Sequence, residues 1–437
     1  MTMDASRRRC LRLASGAAAA AIGGCLSWGS TESNEATPPT DSGGEGFSFD
    51  PDAYEIESSF VTERLHAGSP IDELNDDPDA WLEWSGTVRT TGDESVRGDR
   101  SLVIETDYQQ QEGIARTQFD EPLDLSDRAF SVAVKWDTRT EISDRLPISL
   151  TLWDGSGDGI RFAQIVEKRT LRGWHRYDLG LNAITGDPDL SSIETIDAMV
   201  WTGNDEARVY VDDFRTTETA SGSYVLFHFD DIYEGAYRNA FPTLAEYGYG
   251  ATAGVIIDEL GADEHMNRAQ LDVLADNGWE VCGHPHDSQT FAEMNPEDLE
   301  STLQRYEGWI SEHGYDGSEY VIYPYGEIND ENMSVVSRYH DLAFKVPTAG
   351  YGAGITSPLL CGRVNGEAVD LVRTMIDRAK RYSCVVPIMY HDVSVGDGRG
   401  ISRRKFDETV QYVDDAENVE VITTGDWLSA LKDGEFP

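Results

Sequence analysis

The chain has 437 residues, of which 80 are Asp or Glu and 35 are Lys or Arg, giving a formal charge of −45. So acidic a chain argues against nucleic acid as a partner, while a hydrophobic content of 39 % argues against a disordered acidic tail. The excess is spread along the sequence, as expected of a globular protein adapted to high salt, where the Debye length shrinks to about 3 Å near 1 M.

Taken from the N-terminus, residues 6–25 read SRRRCLRLASGAAAAAIGGC. A basic run (Arg7, Arg8, Arg9, Arg12), an Ala-rich apolar stretch and small residues before Cys25 follow in the order of a secretion signal with a twin-arginine flavour. The apolar stretch is short of the ~20 residues that span a bilayer. IGGC resembles a lipobox, which implies cleavage after residue 24 and a lipid on Cys25. The alternative is a plain signal cut near the Ala run, with Cys25 incidental. Residues 25–54 are rich in Gly, Pro, Ser and Thr and read as a flexible acidic tether. The expected address is therefore the outer face of the cell membrane, with the lipid as anchor. Cys10 lies in the signal, and Cys282, Cys361 and Cys384 form an odd set without metal-ribbon spacing, so buried free thiols are expected.

Residues 55–217 hold short alternating strands such as SLVIET, AFSVAVKWD, PISLTLWDG and ARVYVDDFR. Phe130, Val132, Val134 and Trp136 fall on one face at period two. The pattern is an all-β sandwich, and its last strands resemble the jelly-roll, galactose-binding-like carbohydrate modules. Exposed Trp81, Trp84, Trp153 or Trp201 would stack on sugar rings, and core filling is the competing role for each. Asp212 and Asp213 read as solvated strand-end carboxylates, with a structural calcium as the alternative.

Residues 216–223, TTETASGS, read as a linker. Beyond it, in residues 218–437, buried strands alternate with amphipathic helices, the signature of a parallel α/β sheet or barrel. Asn295 is placed to cap a helix that opens with Pro296 and buries Leu299, Leu303, Tyr306 and Ile310. Polar residues gather where strands end: Asp230 and Asp231 after YVLFHF, His284 and His286 after WEVCG, Tyr325 and Gly326 after YVIYP, His391 and Asp392 after VVPIMY. In parallel barrels that end of the strands carries the active site.

With Phe229-Asp230-Asp231, the turn Tyr323 to Gly326 and the late Met389-Tyr390-His391-Asp392, the segment from about 222 to 437 resembles the polysaccharide deacetylases with a NodB-type domain, carbohydrate esterase family 4. The resemblance implies a distorted (β/α) barrel behind the jelly-roll sandwich. It implies a metal-dependent hydrolase that removes N-acetyl groups from amino-sugars of an extracellular or cell-surface polysaccharide. Asp230 is then the general base, His391 the acid for the leaving amine, and the backbone N–H of Tyr325 the oxyanion donor. Asp231 and His284 are metal ligands, and the cofactor is a divalent metal, zinc before other transition ions.

Two features depart from the family. Its second motif carries two His four residues apart, but Ser288 stands four after His284. His286 is expected as the substitute ligand, with His228 or water as alternatives. Its third motif carries an Arg that orients the catalytic Asp, and Ile322 stands there instead. Removal of O-acetyl esters, or glycan binding without catalysis, are the competing functions. The sequence leaves the polymer and the oligomeric state open.

Overall fold

Strands joined by turns fill the first half and strands alternating with helices fill the second, and this shift divides the architecture. The computed structural model describes residues 56–436, except 72–79, 108, 111, 138–144, 168–169, 202–205, 221, 287–288, 348–351, 353 and 395–399. The expected secretion signal (residues 1–24), Cys25 and the expected tether lie outside the described residues, as do Asp287 and Ser288. Among the described residues, no helix is long and apolar enough to cross a membrane.

After a short helix, α1 (Ser59–Leu65), and a two-residue strand, Ser69–Pro70, that pairs with the last of the set, come ten longer strands: β1 (Leu82–Ser85), β2 (Thr87–Thr91), β3 (Ser101–Thr106), β4 (Glu112–Leu123), β5 (Arg128–Trp136), β6 (Arg145–Asp154), β7 (Gly159–Glu167), β8 (His175–Thr185), β9 (Ile193–Trp201) and β10 (Ala207–Glu218). They form an antiparallel sheet in the order β1-β4-β9-β6-β7-β8-β5-β10-β3-β2. β8 links its two ends: His175–Leu179 pairs with β5, and Gly180–Thr185 pairs with β7. The two ends share one apolar core, with Phe130, Val132, Val134 and Trp136 all buried in it. Ser131 and Ala133 are buried as well, so β5 is covered on both faces, the second by Val96, Val103, Trp174 and Tyr210.

Asp212 and Asp213 are not solvated strand ends. Both are buried at a register shift in β10, where Asp213 takes a left-handed φ of 45°. The Asp213 carboxylate is held by Arg176 and Arg215, while Asp212 accepts the N–H groups of Val96, Arg97 and Asp213. Internal partners thus replace both water and the calcium alternative.

β10 runs to Glu218, so Thr216 and Thr217 belong to a strand and the connection is four residues long. The second half then builds seven parallel strands: β11 (Ser223–Phe229), β12 (Thr252–Val255), β13 (Glu280–Gly283), β14 (Tyr320–Ile322), β15 (Leu342–Pro347), β16 (Cys361–Asn365) and β17 (Val385–Tyr390). Each pairs with the next, β17 returns to β11, and β11 also pairs with β12, so the barrel closes. β18 (Val419–Val421) adds to β11 from outside. The helices of this half are α2 (Phe241–Tyr247), α3 (Arg268–Asp276), α4 (Pro296–His313), α5 (Asp330–Ser337), α6 (Val369–Tyr382), α7 (Arg403–Asp414) and α8 (Thr424–Lys432). α4 follows its sequence signal: Asn295 accepts the Asp298 N–H, and Leu299, Leu303, Tyr306 and Ile310 are buried. Cys282, Cys361 and Cys384 are buried free thiols.

Both halves fall within one compact unit, Glu45–Pro437, and they meet over an extensive contact. The apolar core of the strands continues into Phe291, Leu299, Tyr323, Met333, Val336 and Leu359 of the barrel half. At its edge the Asp330 carboxylate, at the start of α5, accepts the N–H groups of Arg172 and Gly173 and bonds His175 at 2.7 Å. Asp178 accepts the N–H groups of Thr356 and Ser357, and Arg64 donates to the Ile355 carbonyl. Buried polar groups left without such partners would each cost about 1–3 kcal/mol.

Candidate active site

The strand ends converge at the C-terminal mouth of the barrel. β11 stops when the Asp230 N–H donates to the Tyr390 carbonyl at 2.9 Å, and the next two residues turn left-handed, Asp231 with φ 66° and Ile232 with φ 51°. Two non-glycine residues in that region, one of them β-branched, cost on the order of 1–3 kcal/mol each and persist only where the surroundings hold them. Here Ile232 is fully buried and its carbonyl accepts the Met266 N–H at 2.8 Å. The turn sends the two adjacent carboxylates to different partners.

Asp230 goes to an arginine. Both its oxygens are bound by Arg363, at 2.8 and 2.9 Å, and both side chains are buried. Burial alone would raise this carboxyl, but the Arg363 guanidinium, with His284 and His391 nearby, overrides it and holds the pKa down at about 2. The arginine that the family motif would place at Ile322 is therefore supplied by β16, and the expected lack of one is corrected. Sequence reasoning missed it because the strand reads CGRVN, five residues with no apolar alternation. Its only signal was an Arg directly after the apolar run PLLCG.

Asp231 turns to His284, whose Nε2 lies 3.2 Å from its Oδ1. The His284 Nδ1 is 3.0 Å from the Ile322 carbonyl, which can only accept, so Nδ1 carries a proton and Nε2 faces the carboxylate. Burial opposes a charged imidazole there, yet Asp231 and Asp230 outweigh it and raise the His284 pKa; burial likewise opposes the Asp231 carboxylate, and His284 lowers its pKa. Two such atoms bound to one tetrahedral zinc would stand roughly 3.3 Å apart. The separation is that of a hydrogen bond and is also wide enough for both atoms to share one divalent metal once Nε2 gives up its proton.

His286 is not at that point. Its Nε2 lies 2.8 Å from the Tyr325 hydroxyl, and its ring centroid is 6.2 Å from that of His284. Among the described residues no three His, Cys, Asp or Glu side chains are assembled as a metal cluster. His228, the alternative, does not face this pair either. It shares the barrel-interior face with Asp230, as period two requires, but lies deeper, bonded to Thr424 at 3.0 Å and edge-on to Phe344.

Tyr325 lies in the turn Pro324–Gly326 with φ 56°, and the residue is 59 % exposed. His391 stands half-exposed after β17, its Nδ1 3.3 Å from Glu367 Oε1. Glu367 is a second residue that sequence reading missed. Its neighbour Gly366 lies against the Tyr390 ring, where a Cβ would come within 2.3 Å. The structure thus brings together Asp230, Asp231, His284 and His391, and sets His286 and Tyr325 as a separate pair beside them.

A closed parallel barrel thus carries a carboxylate pair, imidazoles and an aromatic turn at one end. Residues 217–342 match the family model described as polysaccharide deacetylase. That match ends before Arg363 and His391. A poly-beta-1,6-N-acetyl-D-glucosamine N-deacetylase of Staphylococcus aureus (strain MRSA252) is 28 % identical over 128 residues, covering 26 % of this chain and 44 % of the relative. The chain thus spans less than half the length of that relative. Among solved structures, the peptidoglycan deacetylase PdaC from Bacillus subtilis is 17 % identical with a TM-score of 0.36, covering 49 % of this chain and 94 % of that one. The Streptococcus pyogenes deacetylase PplD is 19 % identical with a TM-score of 0.30, covering 32 % and 62 %.

Proposed function

We propose that this chain is a metal-dependent deacetylase that hydrolyses N-acetyl groups on amino-sugars of an extracellular or cell-surface polysaccharide. The observation that carries the reading is the division of labour between two neighbouring carboxylates. Asp230 is neutralised and oriented by Arg363, while Asp231 is left facing the imidazole of His284. The activity named for the Staphylococcus aureus relative supports an amide rather than an ester as the bond broken.

Asp231 and His284 would hold the metal, zinc first, with His286 as third ligand once its bond to Tyr325 opens. When bound, such a cation supplies Lewis acidity to the acetyl carbonyl and to water. Asp230 accepts the proton of the attacking water on a lone pair that Arg363 leaves open; each carboxylate oxygen has two such sites. His391, aligned by Glu367, donates a proton to the departing amine. The Tyr325 backbone N–H is assigned to the developing oxyanion. The polymer comes to the site on the outer face of a membrane where Cys25 carries the lipid anchor.

The all-β half would hold glycan on the face away from its core. There Trp84 is 61 % exposed, with the Arg116 guanidinium 3.6 Å from its ring centroid. Asp197 fixes that guanidinium through both oxygens and accepts the Trp153 indole N–H. The row crosses β1, β4, β9 and β6, roughly 14 Å at the usual strand spacing. Trp81, by contrast, is buried against Phe214 and is core filler. Trp84→Ala should keep the rate on soluble oligosaccharides and lose retention on insoluble polymer; retention unchanged removes Trp84 from the glycan face.

The deciding experiment measures acetate release from N- and O-acetylated glycans in high salt, with and without chelator. Release from N-acetylglucosamine polymer that stops with chelator and returns with zinc is expected. Release that ignores chelator, or occurs only from esters, contradicts the proposal.

A further inference from the structure

Lys345, in the second half of β15, is a lysine with no exposed surface at all. Fully buried lysines are rare and need a reason in their partners. Its Nζ leaves the barrel and donates to the carbonyl of Ile165 on β7, in the all-β half, at 3.1 Å, and lies 5.6 Å from the centroid of the Tyr177 ring. Its own carbonyl points the other way and accepts the Nε–H of Arg363 at 3.2 Å.

The backbone explains why that carbonyl is free to do so. β15 and β16 pair at Phe344–Cys361 and again at Pro347–Arg363, three steps on one strand against two on the other. Lys345 and the next residue fill this bulge, and a bulge takes a residue out of the ladder and re-aims it. The freed carbonyl meets the third side of the guanidinium whose other two nitrogens bind Asp230.

We propose that Lys345 is a positioning residue through which the all-β half sets the plane of the Arg363 guanidinium, and so the place of the Asp230 carboxylate. Resting on the reading of Asp230 as proton acceptor, this makes the first half part of the catalytic apparatus as well as a surface for glycan. The guanidinium is planar, so fixing Nε from behind fixes where both Nη groups point. Arg363 without that third contact could rock about its bonds to Asp230, and misplacement near 1 Å can cost about 10²-fold in rate.

The test uses the full-length chain with Lys345→Met and Lys345→Arg. Exchange of the Arg363 Nε–H with solvent is followed by NMR on arginine-labelled protein, the signal assigned by its loss in Arg363→Lys. Lys345→Met should speed that exchange about ten-fold or more and lower kcat by about 10- to 10²-fold with KM nearly unchanged. Lys345→Arg, which keeps a long donor, should restore both. Should Lys345→Met fail to fold, Lys345→Gln, too short to reach Ile165, is read in the same way. Unchanged Nε–H exchange overturns the proposal whatever happens to activity. Wild-type protein that releases no acetate overturns the functional reading instead, and the exchange measurement still decides the role of Lys345.

Discussion

At the scale of residues, Asp230 and Asp231 are adjacent in sequence and opposite in use, and substitution should separate them. Asp230→Asn cannot accept a proton and is expected to lower kcat by about 10²–10⁴ with metal content intact by equilibrium dialysis. Arg363→Met should show a loss of the same order, also without metal loss, because Arg363 binds the proton acceptor and the Lys345 carbonyl but neither of the proposed metal ligands Asp231 and His284. It should in addition destabilise the fold by about 3–5 kcal/mol, since a buried carboxylate loses its counter-charge; denaturant titration measures this. His286→Ala decides the third ligand. A fall in zinc affinity matching that of His284→Ala places His286 on the metal, whereas unchanged affinity leaves it as the partner of Tyr325 alone. Most of this site was legible, because carboxylates and imidazoles at the ends of apolar strands have no core role to compete with. Arg363 and Glu367 were not, since an Arg in a five-residue polar strand and a Glu after a glycine carry no periodic signal. Their meaning comes from strands distant in sequence.

At the scale of elements, β11 shows both what period two reveals and where it stops. It places His228 and Asp230 on one face, yet depth along the barrel axis, which alternation does not encode, separates their roles. His228 has no exposed surface, its Nδ1 has no hydrogen-bond partner among the described residues, and burial together with Arg363 lowers its pKa to about 3 despite the opposing pull of Asp230. An unfolded chain would protonate this imidazole near 6.5. The folded pKa lies below the unfolded one, so the stabilisation is complete above about pH 6.5 and drains away as pH falls towards 3, by at most about 5 kcal/mol. His228→Gln should therefore show a shallower loss of unfolding free energy between pH 6.5 and 5, above the range where most carboxylates titrate. Parallel slopes for the two proteins would contradict it. The helices were the easiest elements to read, as Asn295 and α4 show. β12 and β16 escaped because TAGV and CGRVN are short and rich in small or polar residues. They are strands because their neighbours complete a closed ring.

At the scale of the whole molecule, the sequence reads as a binding module tied to an enzyme by a linker, and the structure holds a joined pair. Composition does shift where the strands give way to strand–helix repeats, so both halves were visible. Their contact was not, because Phe291, Leu299 and Val336 look like ordinary core residues until the all-β half is laid against them. A chain starting at residue 220 would expose them along with the Asp330 and Lys345 contacts. It should melt well below the full chain or aggregate, and a barrel that melts as the full chain does would show the halves to be independent.

The same joint has a consequence in time. The all-β half leaves the ribosome first, and the roughly 200 residues that cover its flank follow at about 5–20 residues per second, an interval of roughly 10–40 s. Throughout it the Ile165 carbonyl, the His175 imidazole and the apolar flank beside them face water or whatever else is near. Assistance during synthesis should therefore matter most for the half that is made first.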